Sequence, residues 1–294
     1  MLDLEEYRIP IQLDQCWRQP EPEESLSSES QHELVVQLLE QITGRTASDR
    51  WRTAYETRRA LYNVLIQARP GSWSETQLQA IDQLLWSERQ NKPSIENSNI
   101  AHKLSQERGK TKLKIWRGDI TTLACDAIVN AANSALLGCF RPDHPCIDNA
   151  IHAAAGPRLR DDCAAIMTLQ KHPEPTGVAK ITRAYNLPCR YVLHTVGPIH
   201  RGDDTIMQES DELAKAYLSC LNLAERMTTI KTLAFCCIST GVFGFPAKRA
   251  CKIAIKTVEQ WLKKQPNHFE MIIFNVFSIR DEMLYEKNFE QHLR

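Results

Sequence analysis

Apolar positions recur along the chain with two different periods, and the change falls near residue 110. Before it the spacing is helical. Leu34, Leu38 and Ile42 stand a turn apart in QHELVVQLLEQIT and predict a helix over 31–43, stopped at Gly44. Trp51, Tyr55, Leu61, Leu65 and Ile66 give an apolar face over 47–68, with Ser48 or Asp49 as its cap. Ser74 followed by Gln77 is a capping-box pattern and opens a third helix over 74–89. Residues 1–30 hold Pro10, Pro20 and Pro22, which forbid a continuous helix, and are expected to be irregular. Residues 90–109 are polar and read as a linker.

From 110 onward short β-rich runs alternate with helical ones. Strands are predicted over 112–117, 126–130, 179–185, 191–196, 232–238 and 271–277. Helices are predicted over about 147–155, 157–169, 207–227, 246–264 and 280–290, with Pro157 and Pro246 in first turns. This alternation predicts a three-layer α/β/α domain with a mixed, mostly parallel central sheet over 110–294. An all-helical extension over 1–95 and a linker over 96–109 precede it. In such sheets ligands sit at the carboxyl ends of the strands, where the distinctive polar loops fall: 118–120, 130–146 and 239–245.

Composition narrows the class. With 294 residues, 43% apolar and 24% charged, the chain is expected to fold and stay in solution. It has no apolar run of ~18 residues to span a membrane, and its acidic N-terminus lacks the apolar core of a secretory signal. Ten cysteines lie scattered, and Cys125, Cys236, Cys237 and Cys251 sit in apolar segments. Buried, reduced thiols and a cytoplasmic location are expected. The net charge is zero, yet acids outnumber bases in the first hundred residues and bases outnumber acids in the rest. A mildly basic domain suits a small anionic ligand, and the asymmetry is too small to argue for nucleic acid.

Two loops carry candidate chemistry. Cys139, His144 and Cys146 place three soft metal ligands within eight residues, followed at once by Asp148. A closed structural zinc takes four protein ligands, and a catalytic one takes about three and keeps a position open. His152 is a possible fourth ligand; chance clustering in a Cys-rich chain is the plainer alternative. The second loop, Ser239-Thr240-Gly241-Val242-Phe243-Gly244-Phe245, follows a predicted strand and opens a helix. Its backbone N–H groups can cradle an anion, although a plain strand-to-helix turn would look similar. It is neither a P-loop nor a GxGxxG dinucleotide fingerprint. Asp119, ending the first strand of the domain, can accept from an exocyclic amine or cap a turn. His194, Cys236 and Cys237 read as core.

In this order, GDITTLACDAIVNAANSALLG, CIDNAIHAAAGP, TGVAKITRAYNLPCRYVLHTVGP and ISTGVFGFP resemble the motifs of the macrodomain family. The resemblance covers about 110–290 and is nearest to the hydrolases of protein-linked ADP-ribose. Those usually run from Asn-Ser-x-Leu-x-Gly-Gly straight into Val-Asp-x-Ala-Ile-His. Here residues 138–146 stand in that place, a departure that resembles the zinc-dependent subgroup with its N-terminal helical extension.

The resemblance implies roles. Asp119 and Ile120 would hold adenine, and Phe277 would stack on it. Asn130 and Asn133 would face the distal ribose. Residues 239–245 would wrap the diphosphate. Asp148, with Asn133 beside it, would serve catalysis, and Cys139, His144 and Cys146 would ligate Zn2+. An open zinc lowers the pKa of bound water to about 7 or polarises a ribose hydroxyl, and Asp148 would act as base or orient the water. His152, four residues on along the same helix face, reads as a packing residue. The function implied is a zinc-dependent hydrolase removing ADP-ribose from modified protein side chains. It would act as a monomer on ADP-ribose and ADP-ribosylated proteins, with no membrane or nucleic acid required. A non-catalytic reader with structural zinc and an O-acetyl-ADP-ribose deacetylase are the alternatives. Asp148 favours hydrolysis over reading, and the helical extension favours a protein substrate.

Overall fold

The computed structural model of the chain describes residues 2–17, 25–44, 53–91, 94–96, 105–264 and 266–292. The N-terminal part is helical: α1 (Leu4–Tyr7), α2 (Ser28–Thr43), α3 (Ala54–Gln67) and α4 (Glu75–Gln90). The helical spacing read from the sequence becomes a small core in which Leu39, Leu61, Ile81 and Leu84 are fully buried. Each such side chain contributes about 1.5–3 kcal/mol. Ser74 and Gln77 form the expected capping box of α4. Helix α2 ends at Gly44 in the left-handed conformation. Thr53 caps α3. The earlier start expected for that helix, with Ser48, Asp49 and Trp51, lies outside the described residues, as do Pro20 and Pro22.

Two short strands, β1 (Ile95–Glu96) and β4 (Leu123–Ala124), pair in parallel apart from the main sheet. That sheet contains β2 (Ser105–Arg108), β3 (Thr111–Arg117), β5 (Ala127–Ala132), β6 (Ala179–Arg183), β7 (Tyr191–Val196), β8 (Thr232–Phe235) and β9 (Met271–Val276). Among the described residues the spatial order is β2-β3-β9-β8-β5-β7-β6. The five inner strands run parallel, and β2 and β6 join antiparallel at the edges. The inner strands read as apolar runs because both faces are covered; every residue of β7 is buried. Helices α5 (Ile147–Ala155) and α6 (Pro157–Gln170) pack together on the sheet, and α7 (Ile206–Glu225), α8 (Ala247–Lys264) and α9 (Ile279–His292) form a second group. The domain has the three-layer, mostly parallel architecture expected from the sequence.

Three local readings differ. Residues 1–30 are not all irregular: Asp3 and Glu6 cap α1, and Leu4, Tyr7, Ile11 and Leu13 are buried in the main core. The Tyr7 hydroxyl accepts a hydrogen bond from Ile181 N at 3.1 Å. Four apolar residues around one turn of helix are too few to show a period. Residues 105–108, read as linker, form the edge strand β2. Strand β8 ends at Phe235, so Cys236 and Cys237 turn towards the loop beyond it.

The helical part is bolted to the sheet domain by charge. Arg158 of α6 binds Asp82 at 2.8 Å and Glu75 at 2.6 Å. Asn186 donates to Asp82 at 2.7 Å. Burial raises the Asp82 carboxyl, while Arg158 and Asn186 pull it down. All ten cysteines are free thiols. No helix among the described residues is long and apolar enough to cross a membrane.

Candidate functional site

The carboxyl ends of β5, β8 and β9 open into a cavity of ≈ 520 Å³. It gathers Asn133, Cys139, His144, Cys146 and Asp148 with residues 239–243 and Phe277. These come from three separate loops, so the topology, not sequence proximity, makes the site.

Asp148 lies in the first turn of α5 and is 4% exposed. A carboxylate there is favoured by the helix dipole. The Asn130 side-chain amide donates to its Oδ1 at 2.8 Å, and Asn133 approaches Oδ2 at 3.4 Å. Burial pushes the Asp148 carboxyl up to about 6, against the Asn130 hydrogen bond and the Arg160 charge, which pull it down. Asn130 is fully buried and does not line the cavity; it holds Asp148 from behind.

The chain of contacts continues inward. Asn130 Nδ2 is 3.2 Å from Nδ1 of His194, whose Nε2 is 2.9 Å from Thr182 Oγ1. Burial lowers His194 to about 3, so the ring is neutral. Accepting from the Asn130 amide at Nδ1 then leaves the proton on Nε2, donated to Thr182. His152 is also buried and neutral, its pKa far below the usual histidine value because of burial. Its Nε2 stands 3.5 Å from Asp148 Oδ1, beyond a well-made hydrogen bond. His152, Cys163 and His194 form a second cluster of metal-ligand types. Both nitrogens of His194 are already engaged, so that cluster is packed core.

Cys139, His144 and Cys146 do converge. Their donor atoms all lie within 4.8 Å of one another, and Cys139 Sγ is 3.1 Å from His144 Nδ1. Cys146 caps α5, with its sulfur accepting from Asn149 N at 3.5 Å. Asn149 in turn donates its amide to the carbonyls of Arg141 and His144 at 2.7 and 3.0 Å, stapling the loop to the helix. Burial, with Cys139 and Asp148 nearby, pushes the Cys146 thiol up to about 12. Two sulfurs and an imidazole converging on one point are the donor types found in zinc sites. Zinc–sulfur bonds of about 2.3 Å and zinc–nitrogen bonds of about 2.0–2.1 Å fit donors at this spacing. All three residues line the cavity, and no fourth ligand joins their cluster among the described residues.

The loop after β8 offers an anion cradle. Among the described residues no hydrogen bond uses the N–H groups of Gly241, Val242 and Phe243. Thr240, Gly244 and Phe245 instead close the loop on itself, through N–H bonds to Cys237, Gly241 and Ser239 carbonyls. Phe245 is buried and, like Gly244, does not line the cavity. Ser239 takes a positive φ of 65°, with its hydroxyl buried and unpartnered. Phe243 O accepts from His200 N at 2.8 Å, and Glu209 holds His200 Nδ1 at 2.7 Å. Phe277 is 79% exposed, its ring free to stack.

Asp119 and Ile120 are not brought into this cavity. Asp119 accepts from Thr121 N and Oγ1 at 3.0 and 2.7 Å, capping a turn, and lines a second cavity with Ala150 and Ala153. Ile120 is buried. Asn275, Asp281 and Gly197 were not singled out in the sequence. Asn275 lines the main cavity and donates to Gly118 O at 2.9 Å. Gly197 admits the Ser239 hydroxyl where a Cβ would stand 2.0 Å from it. Only the Gly in TVGP could have signalled it.

The family model "Macro domain" matches residues 129–254. A protein-ADP-ribose hydrolase of Treponema medium is 59% identical over 180 residues, covering 61% of this chain and 68% of that protein. One of Staphylococcus aureus is 52% identical over 177 residues, covering 60% and 66%. Among solved structures, an Oceanobacillus iheyensis macrodomain mutant with ADPR matches with a TM-score of 0.58 and 34% identity, over 65% of this chain and 98% of that one. A Trypanosoma brucei macrodomain in complex with ADP-ribose matches with a TM-score of 0.57 and 30% identity, over 76% and 94%. With its sheet, its loops and these relatives in agreement, the chain belongs to the macro domain family.

Proposed function

We propose that this chain is a hydrolase that removes ADP-ribose from protein side chains, the activity for which its relatives are named, and that it depends on Zn2+. Cys139, His144 and Cys146 would hold the ion. Bound there, Zn2+ supplies a Lewis acid for a water or a ribose hydroxyl. The free N–H groups of Gly241, Val242 and Phe243 receive the diphosphate, and the exposed Phe277 ring packs on adenine. Asn133 and Asp148 face the distal ribose. A carboxyl held at about 6 takes a proton readily near neutral pH, as a general base must. Ten unpaired cysteines suit the reducing cytoplasm.

The observation that carries this reading is the convergence in one cavity of three soft ligands, a buried acid and an unfilled backbone cradle. A reader of ADP-ribose needs only the cradle; burying an acid beside it stabilises nothing in a reader. The test is Asp148→Ala. ADP-ribose affinity, measured by titration calorimetry, stays within a few-fold, while release of ADP-ribose from modified protein slows about 100-fold or more. Unchanged release would return Asp148 to a structural role and the chain to the readers.

A further inference from the structure

The loop carrying the three ligands is gripped from outside the sheet domain. Phe140, adjacent to Cys139, holds two guanidinium groups over its ring: those of Arg69 and Arg160 each stand 4.7 Å from its centroid. Arg69 follows α3 in the N-terminal part, and Arg160 belongs to α6. Two like charges this close repel each other, so the ring is what attracts both.

Arg160 is 3% exposed. Its Nε donates to Leu137 O at 2.9 Å, and Nη1 donates to Leu65 O at 2.8 Å and Ala68 O at 2.6 Å. One side chain therefore ties together the start of the ligand loop, the carboxyl end of α3 and the face of Phe140. Gly138, between Leu137 and Cys139, has φ 85°, and a Cβ there would stand 3.2 Å from Arg160 Nη2. Phe140 itself has φ 56°, a left-handed conformation that a bulky residue adopts only where its surroundings hold it. Neither Phe140 nor the two arginines line the cavity, so contact with substrate does not account for this arrangement.

We propose that the N-terminal helical part is a structural component of the metal site. Through Arg69, and through the α3 carbonyls that hold Arg160, it keeps Phe140 in its strained conformation and so fixes Cys139 beside His144 and Cys146. Phe140 is a positioning residue, acting through its neighbour. The inference rests on the reading of those three residues as zinc ligands. Residues that orient a metal ligand without touching the metal typically change affinity about 10–100-fold when altered.

The test uses the full chain, stripped of metal and titrated with Zn2+ against a chromogenic chelator. Phe140→Leu keeps apolar bulk and loses the ring face; it binds Zn2+ about tenfold or more weakly, with ADP-ribose affinity unchanged. Phe140→Tyr restores the face and binds as the parent does. Arg69→Ala, at an exposed position, weakens Zn2+ in the same direction with no loss of folding. Parental Zn2+ affinity in both Phe140→Leu and Arg69→Ala overturns the proposal and leaves the metal site standing. A parental chain that takes up no Zn2+ overturns the metal site, and the proposal with it.

Discussion

The side-chain amide of Asn130 reaches Asp148 Oδ1 across 2.8 Å and His194 Nδ1 across 3.2 Å. Thr182 engages the other nitrogen of that ring at 2.9 Å. Residues of β5, β6 and β7 thus fix one carboxylate at the head of α5. His194 is core, as its place in a buried strand suggested, yet its fixed tautomer orients the amide that orients the acid.

Holding Asp148 there costs stability. Its carboxyl titrates at about 6 in the fold, against ~3.9 in an unfolded chain. Between those values the folded state keeps a proton the unfolded state has lost, so stability falls as pH rises through that window. In the metal-free protein, Asp148→Asn is therefore more stable than the parent at pH 7.5, by roughly 1–3 kcal/mol. The gap closes below about pH 4. Urea titrations at the two pH values measure it, and equal stability at pH 7.5 would show that the buried charge carries no penalty.

Cys139→Ala and His144→Ala lose the metal and most turnover while the sheet domain stays folded. Both residues sit in a loop whose staple, the Asn149 side-chain amide, bonds to the backbone carbonyls of Arg141 and His144. Metal content by mass spectrometry falls towards zero, and the circular dichroism of the metal-free proteins matches that of the metal-free parent. Either variant working at the parental rate would remove zinc from the reaction.

Gly197→Ala pushes a Cβ to 2.0 Å from Ser239 Oγ and 2.7 Å from Ile238 Cγ2. The loop must move, at about 1–3 kcal/mol of stability, and calorimetry shows weaker ADP-ribose binding. Gly241→Ala is the contrast, because nothing lies within 4 Å of an added Cβ there. It melts as the parent does, so any loss of affinity in it reports a ligand lying against that backbone.

Phe277→Ala removes a ring that is 79% exposed. Stability stays within about 0.5 kcal/mol. Stacking on a base is worth about 1–3 kcal/mol, and ADP-ribose affinity falls by that amount. Unaltered affinity would place adenine elsewhere.

Much of this architecture was legible in the sequence because it repeats. Leu34, Leu38 and Ile42 announce α2, and the apolar run at 191–196 announces a strand covered on both faces. Cys139, His144 and Cys146 were legible as a cluster because all three lie on one short loop. What stayed hidden depends on distant partners. The burial of Tyr7 needs Ile181, the place of Gly197 needs Ser239, and the role of Phe140 needs Arg69 and Arg160. Asp119 shows the opposite limit: an Asp at a strand end suits an adenine contact or a turn cap, and the fold has it cap a turn beside a second cavity.

The most direct test couples metal to turnover in one preparation. The chain is purified, its zinc counted, and release of ADP-ribose from modified protein followed as a chelator strips the metal and Zn2+ is returned. The account predicts one zinc per chain, turnover falling in step with its removal and recovering in step with its return, and neither behaviour in Cys139→Ala. Full turnover from a chain shown to contain no metal would contradict it.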